Sequence, residues 1–138
     1  MAASYCPRQG DVVWLSFDPH EKMGTGTSQN AVGTKRASTG SEPVPIFSEQ
    51  AGLRPALVLS PERYNRKVGL ALFCPITSHR KGYPFEVAVP PGLEVSGVIL
   101  SDQVKSLDWK TRKTRFGCKM PVDVFREVVC KLGTLTEM

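Results

Sequence analysis

Apolar positions come in short runs, each closed by turn residues, until the period changes near the C-terminus. In Asp11 to Phe17 (DVVWLSF), Val13, Leu15 and Phe17 share one parity and Trp14 takes the other, the period of two expected of a strand. Ala56 to Ser60 (ALVLS) and Leu70 to Ile76 (LALFCPI) are mostly apolar; Pro61 closes the first and Pro75 interrupts the second. Phe85 to Val89 (FEVAV) carries one charge, Glu86, and stops at Pro90, Pro91 and Gly92. Gly97 to Leu107 and Thr114 to Cys118 are two further strand candidates. Strands this short, spaced by turn signals, predict a strongly bent antiparallel sheet or a small barrel.

From Val122 the apolar residues fall at Val122, Phe125, Val128, Val129, Leu132 and Leu135, the stripe of an amphipathic helix. Pro121 suits its first turn, where a missing N–H does no harm. Asp123 and Lys131 complement the two ends of the helix dipole. This helix is expected to cover one open side of the sheet. Lys22 to Ile46 fits neither pattern: 13 of its 25 residues are Gly, Ser, Thr or Pro, and none is aromatic. It buries too little to repay ordering, which predicts a long mobile loop inserted in a single domain spanning residues 1–138.

Composition narrows the class. A chain of 138 residues, 41% hydrophobic and 22% charged, is that of one globular domain, and 12 Gly with 11 Pro suit many short elements. No run approaches the ~18 apolar residues of a spanning helix, and Met1 to Gly10 lacks a signal-peptide pattern, so a cytoplasmic protein with no membrane partner is expected. The four cysteines, Cys6, Cys74, Cys118 and Cys130, have no C-x-x-C spacing, and His20 and His79 complete no zinc site. Free thiols in a reducing compartment and no metal or other cofactor are the expectation.

The net charge is +5. Lys110 to Lys119 holds five cations (Lys110, Arg112, Lys113, Arg115, Lys119) and no acid, with Trp109 and Phe116 beside or among them. Such a stretch suits nucleic acid, phosphates taking the charge and bases the rings. It equally suits a solvated edge strand guarded by lysines. Ser48 to Pro61 (SEQAGLRPALVLSP) sets Glu49 and Arg54 at the mouth of a strand, as working groups on a rigid scaffold or as an exposed ion pair. Pro75 to Gly82 (PITSHRKG) follows a buried strand with two hydroxyls, an imidazole and two cations, able to hold a phosphate and supply proton donors. His79 has the chemistry of a general base but also that of an ordinary exposed loop residue. Cys74, inside an apolar strand, reads as packing. No Walker loop, G-x-S-x-G elbow or dinucleotide fingerprint appears.

At these residues the chain resembles the MazF/PemK family of toxin endoribonucleases from bacterial toxin–antitoxin pairs. The matching segments are GDVVWLSFDP (Gly10 to Pro19), SEQAGLRPALVLSP, Tyr64–Asn65, KGYPFEV (Lys81 to Val87) and LSDQVKSLDW (Leu100 to Trp109). The resemblance implies a mainly β fold, a small SH3-like barrel of antiparallel strands with a C-terminal α-helix, working as a homodimer. It implies metal-independent, sequence-specific cleavage of single-stranded RNA by the RNA's own 2′-hydroxyl, leaving a 2′,3′-cyclic phosphate and a 5′-hydroxyl. Arg54 and Thr77 fall at the family's main catalytic positions, and Glu49, Ser78, Lys81 and Gln103 at substrate-contact positions. Arg54 supplies a permanent planar cation and Thr77 a hydrogen-bond donor. The proton acceptor is open between Glu49 and His79.

The resemblance further implies a MazE-like antitoxin whose acidic C-terminal segment covers the RNA site, a partner that a +5 chain suits. The long insert departs from the family pattern. Its basic residues either extend the RNA contact or are an inert extension. Two other readings stand beside the nuclease: a gyrase-poisoning toxin on the same barrel, and an RNA-binding barrel that has lost activity.

Overall fold

The structure is a computed structural model and describes residues 5–17 and 52–136. The loop expected at Lys22 to Ile46, together with Glu49 and His20, lies outside the described residues, so the domain boundaries proposed from the sequence stay an expectation. The elements are β1 (Asp11–Leu15), β2 (Arg54–Val58), α1 (Glu62–Val68), β3 (Leu70–Thr77), β4 (Glu86–Ala88), β5 (Val98–Leu100), β6 (Lys105–Asp108), β7 (Arg115–Lys119) and α2 (Val122–Thr136).

All pairings are antiparallel, in the order β4–β5–β3–β2–β1–β7, and β6 also pairs with β3. Strand β3 is the hub. One of its edges carries β2; the other carries β6 along its first half (Leu70 with Asp108 to Phe73 with Lys105) and β5 at its end (Ile76 with Ile99, Thr77 with Val98). A strand that changes partner midway forces the sheet to bend, and a register shift between Val12 and Val13 bends β1 against β7. The result is a barrel-like antiparallel sheet whose ends do not pair with each other among the described residues.

Alternation along the strands buries both faces. Val12, Leu57, Cys74 and Ile76 point to one side, where Val128 of α2 completes a core flanked by Phe125 and Leu132. Val13, Leu15, Ala56, Val58, Ala71 and Phe73 point to the other, closed by Cys6 and Trp109. Helix α2 therefore covers one side of the sheet, but of the stripe read from the sequence only Phe125, Val128 and Leu132 pack inward, while Val122, Val129 and Leu135 stay exposed.

The structure departs from the sequence reading in two places. The single strand expected over Gly97 to Leu107 is two, β5 and β6. Between them the chain turns: Ser101 donates from both N–H and hydroxyl to the Phe85 carbonyl, and the Gln103 N–H donates to the Leu100 carbonyl. The second departure is α1, in a segment read only as the Tyr64–Asn65 motif. Its sequence, ERYNRKV, buries Asn65 alone and so has no apolar stripe to see. Gly69, left-handed at φ 83°, ends it by donating to the Asn65 carbonyl. Asn65 itself is fully buried. Its amide donates to the Pro7 and Ser60 carbonyls (2.9 and 3.0 Å), its oxygen accepts from the Ser60 hydroxyl (2.5 Å), and its carbonyl accepts from the Trp109 indole (3.1 Å). One side chain thus joins the N-terminal segment to the end of the β2 strand run, while its backbone carbonyl ties down Trp109.

Candidate active site

Strands β2 and β3 pair Val58 with Phe73, Leu57 with Cys74 and Ala56 with Pro75. Arg54 and Thr77 each lie two residues beyond the last paired positions, Ala56 and Pro75, at the same end of these neighbouring strands. Leu15 of β1 pairs with Arg54 on one side, and Val98 of β5 pairs with Thr77 on the other. Arg54 and Thr77 line one open cleft of about 950 Å³. Ser78, Lys81 and Gln103 line the same cleft, as do His79 and Lys105. Of the residues proposed from the sequence, only Glu49 is not located there, because it lies outside the described residues.

The side-chain chemistry of the cleft wall follows from local hydrogen bonds. The Thr77 hydroxyl oxygen accepts from the His79 backbone N–H (3.1 Å), which orients the hydroxyl and leaves its hydrogen available to a ligand. Arg54 is exposed and makes no hydrogen bond or ion pair with any described residue. The loop after Thr77 folds onto Glu86, whose carboxylate accepts from the N–H groups of Lys81 (2.8 Å) and Gly82 (3.0 Å). Lys131 of α2 donates to the carbonyls of Pro84 (2.7 Å) and Glu86 (3.3 Å), so the helix holds the same loop from behind. Tyr83, also in the cleft, donates to Asp102 (2.9 Å), and that bond pushes its phenol above the usual range, making it a donor rather than a base.

Gly97 fixes where Thr77 stands. A Cβ on Gly97 would lie 2.1 Å from the Thr77 carbonyl oxygen and 2.9 Å from the Ser78 Cα, and its φ of 115° already disfavours a side chain. The backbone of the loop before β5 presses directly on the end of β3. Nothing in the sequence marks Gly97 apart from the other glycines. Tyr83 and Glu86 belong to the KGYPFEV segment but carried no assigned role, because their partners are set by the folded loop. Cys74 is fully buried, and burial pushes its thiol up to about 12, which fits packing rather than nucleophilic attack.

The basic stretch Lys110 to Lys119 is less available than its sequence suggests. Lys119 pairs with the buried Asp11 (2.7 Å), Arg112 donates to the Ser16 carbonyl (2.9 Å), and Lys110 sits 5.5 Å from the centre of the Trp109 ring. Trp109 is core rather than a stacking surface, with its indole N–H spent on Asn65. Strand β7 ends the sheet order among the described residues, the position for which edge-guarding lysines are suited.

Residues 8–136 match the family model described as PemK-like, MazF-like toxin of type II toxin–antitoxin system. The chain belongs to this toxin family. It is 42% identical over 125 residues to a protein of Escherichia coli K12 named endoribonuclease toxin MazF, covering 90% of this chain and 89% of that protein. Among solved structures, MazF from Deinococcus radiodurans superposes with a TM-score of 0.72 at 43% identity, covering 98% of this chain and all of that one (100%). The MazE–MazF complex from the same organism superposes with a TM-score of 0.72 at 40% identity, covering 98% of this chain and 99% of that one. The family thus carries this toxin's bent sheet and C-terminal helix almost end to end.

Proposed function

We propose that this toxin is an endoribonuclease that cuts single-stranded RNA within a short recognition sequence, inhibiting translation and growth. The observation that carries the reading is that Arg54 and Thr77, on the neighbouring strands β2 and β3, line one cleft. Relatives named as endoribonucleases at 42% identity support the activity class.

In the proposed reaction the ribose 2′-oxygen forms a bond to the adjacent phosphorus while the bond from phosphorus to the 5′-oxygen breaks. The products are a 2′,3′-cyclic phosphate and a 5′-hydroxyl. Negative charge builds on the phosphoryl oxygens as the new bond forms. The Arg54 guanidinium, unpaired among the described residues, matches them with a planar fork. The Thr77 hydroxyl, its oxygen already accepting from His79, donates to one of them. Ser78, Lys81 and Gln103 hold the flanking nucleotides. The proton leaving the 2′-oxygen needs an acceptor and the departing 5′-oxygen needs a proton in return; the His79 imidazole, in the cleft, can take the first and give the second, Glu49 is the other candidate, and both Glu86 oxygens already accept backbone N–H groups. The nucleophile belongs to the substrate, so the step needs no enzyme nucleophile, and in the proposed reaction Arg54 and Thr77 supply the charge stabilisation in place of a metal.

The proposed partners are a second copy of the chain and a cognate antitoxin, supported by the solved MazE–MazF complex of a relative and by the +5 charge. Among the described residues no helix is long and apolar enough to cross a membrane, and a cytoplasmic site of action is proposed. The test is incubation with single-stranded RNA in EDTA, beside the same RNA carrying one 2′-deoxy sugar at the cut. Cleavage that survives chelation, stops on deoxy substitution and is lost in Arg54→Ala is the expected result. Cleavage of the deoxy substrate, or full activity in Arg54→Ala, refutes the mechanism.

A further inference from the structure

The cleft is lined by two chemically different sets of residues: Arg54, Thr77 and Lys81 offer cations and a hydroxyl, while Trp14, Ile76 and Val95 are apolar or aromatic and Glu94, on the loop before β5, is a carboxylate. Two neighbouring residues of β7 touch members of the second set: the Trp14 indole nitrogen lies 3.0 Å from where a Cβ on Gly117 would stand, and the Cys118 sulfur lies against the Glu94 backbone. Glu94 is exposed, and its carboxylate makes no hydrogen bond or ion pair with any described residue. It differs in this from Glu86, whose two oxygens hold the Lys81–Gly82 backbone.

An unpartnered carboxylate in a cleft that receives a polyanion repels it, unless the ligand turns a donor toward it. Phosphate offers none, and the ribose 2′-hydroxyl, which does donate, is the same on every nucleotide; what differs between bases is the exocyclic amine that adenine, cytosine and guanine carry on edges exposed when unpaired. Uracil has no amine and flanks its one ring N–H with two carbonyl oxygens. We infer that Glu94 is a specificity-determining residue, accepting from the exocyclic amine of a base next to the scissile phosphate and rejecting uracil there. This rests on the endoribonuclease reading above.

The test maps cut sites of the wild-type protein, Glu94→Gln and Glu94→Ala in a randomised single-stranded RNA pool, by sequencing the fragment ends. Matching thermal unfolding curves establish that the three proteins are equally folded. Wild type is expected to disfavour uracil at one position beside the cut by about ten-fold or more. Glu94→Gln, whose amide also donates, should raise uracil at that position about ten-fold relative to the amino bases, and Glu94→Ala should erase the preference. The same base profile in all three proteins overturns the inference. So does an equal loss at every sequence with the acid limb of the pH–rate profile removed, which would make Glu94 a proton acceptor. A pool left uncut by wild type overturns the endoribonuclease reading itself, and the inference falls with it.

Discussion

Thr77 and Gly97 carry the sharpest residue-scale consequences. The Thr77 hydroxyl is aimed by a single backbone donor, His79 N–H, so its removal takes away a donor while the β3 strand stays paired with β5 through backbone bonds. Thr77→Ala is expected to lower the RNA cleavage rate about 10²–10³-fold, the usual cost of one lost donor at developing charge, and Thr77→Ser to keep most of the rate. Single-turnover cleavage at saturating protein measures both. Gly97→Ala has a different signature. The new methyl meets the Thr77 carbonyl at 2.1 Å, so the end of β3 must move to admit it. Stability should fall by about 1–3 kcal/mol in urea unfolding, and the molecules that remain folded should cut far more slowly than that loss explains.

At the scale of elements, α1 acts as a latch distant from the cleft. Its one buried residue, Asn65, satisfies the Pro7 and Ser60 carbonyls and the Ser60 hydroxyl, which in turn accepts from the Leu72 N–H. Asn65→Ala strands these groups, and a loss of roughly 2–4 kcal/mol is expected from chemical denaturation. Cleavage per folded molecule should be nearly unchanged, since none of these groups lines the cleft. Helix α2 is placed differently: it both buries Val128 against the sheet and, through Lys131, holds the Pro84–Glu86 backbone. Core and cleft wall are therefore mechanically joined on that side.

For the whole molecule, buried acids that ionise at high pH set the response to alkali. Burial raises Cys74 from 9.0 to about 12, and Cys6, Cys118 and Tyr5 are raised with it, burial again being the first cause. A group whose folded pKa exceeds its unfolded value stabilises the fold fully below the unfolded value and loses that contribution as pH rises through the folded one. Stability should hold up to about pH 9 and decline from there toward pH 12, read as a falling urea midpoint. Replacing Cys74 with valine should flatten part of that decline.

Alternation and the change of period at Val122 were enough to read an antiparallel sheet backed by a C-terminal helix, because burial on two faces imposes a period of two on strands and one-sided packing imposes 3.6 on a helix. The segments around Arg54 and Thr77 were legible for a related reason: each is a polar residue at the end of an apolar strand. Their meeting at one cleft was decided by the β2–β3 pairing, which joins residues far apart in sequence. Helix α1 was hidden because it is held by one polar side chain rather than by an apolar stripe. The sequence of the basic stretch from Lys110 does not show which cations are engaged, because the Lys119–Asp11 ion pair and the Arg112–Ser16 contact form only when distant parts of the chain meet. Glu94 and Gly97 gained meaning in the same way, from a loop that packing brings against the end of β3 and the side of Trp14. Local pattern records what a residue must do within its own element; what it does for another element is fixed by contacts that form only when the chain folds.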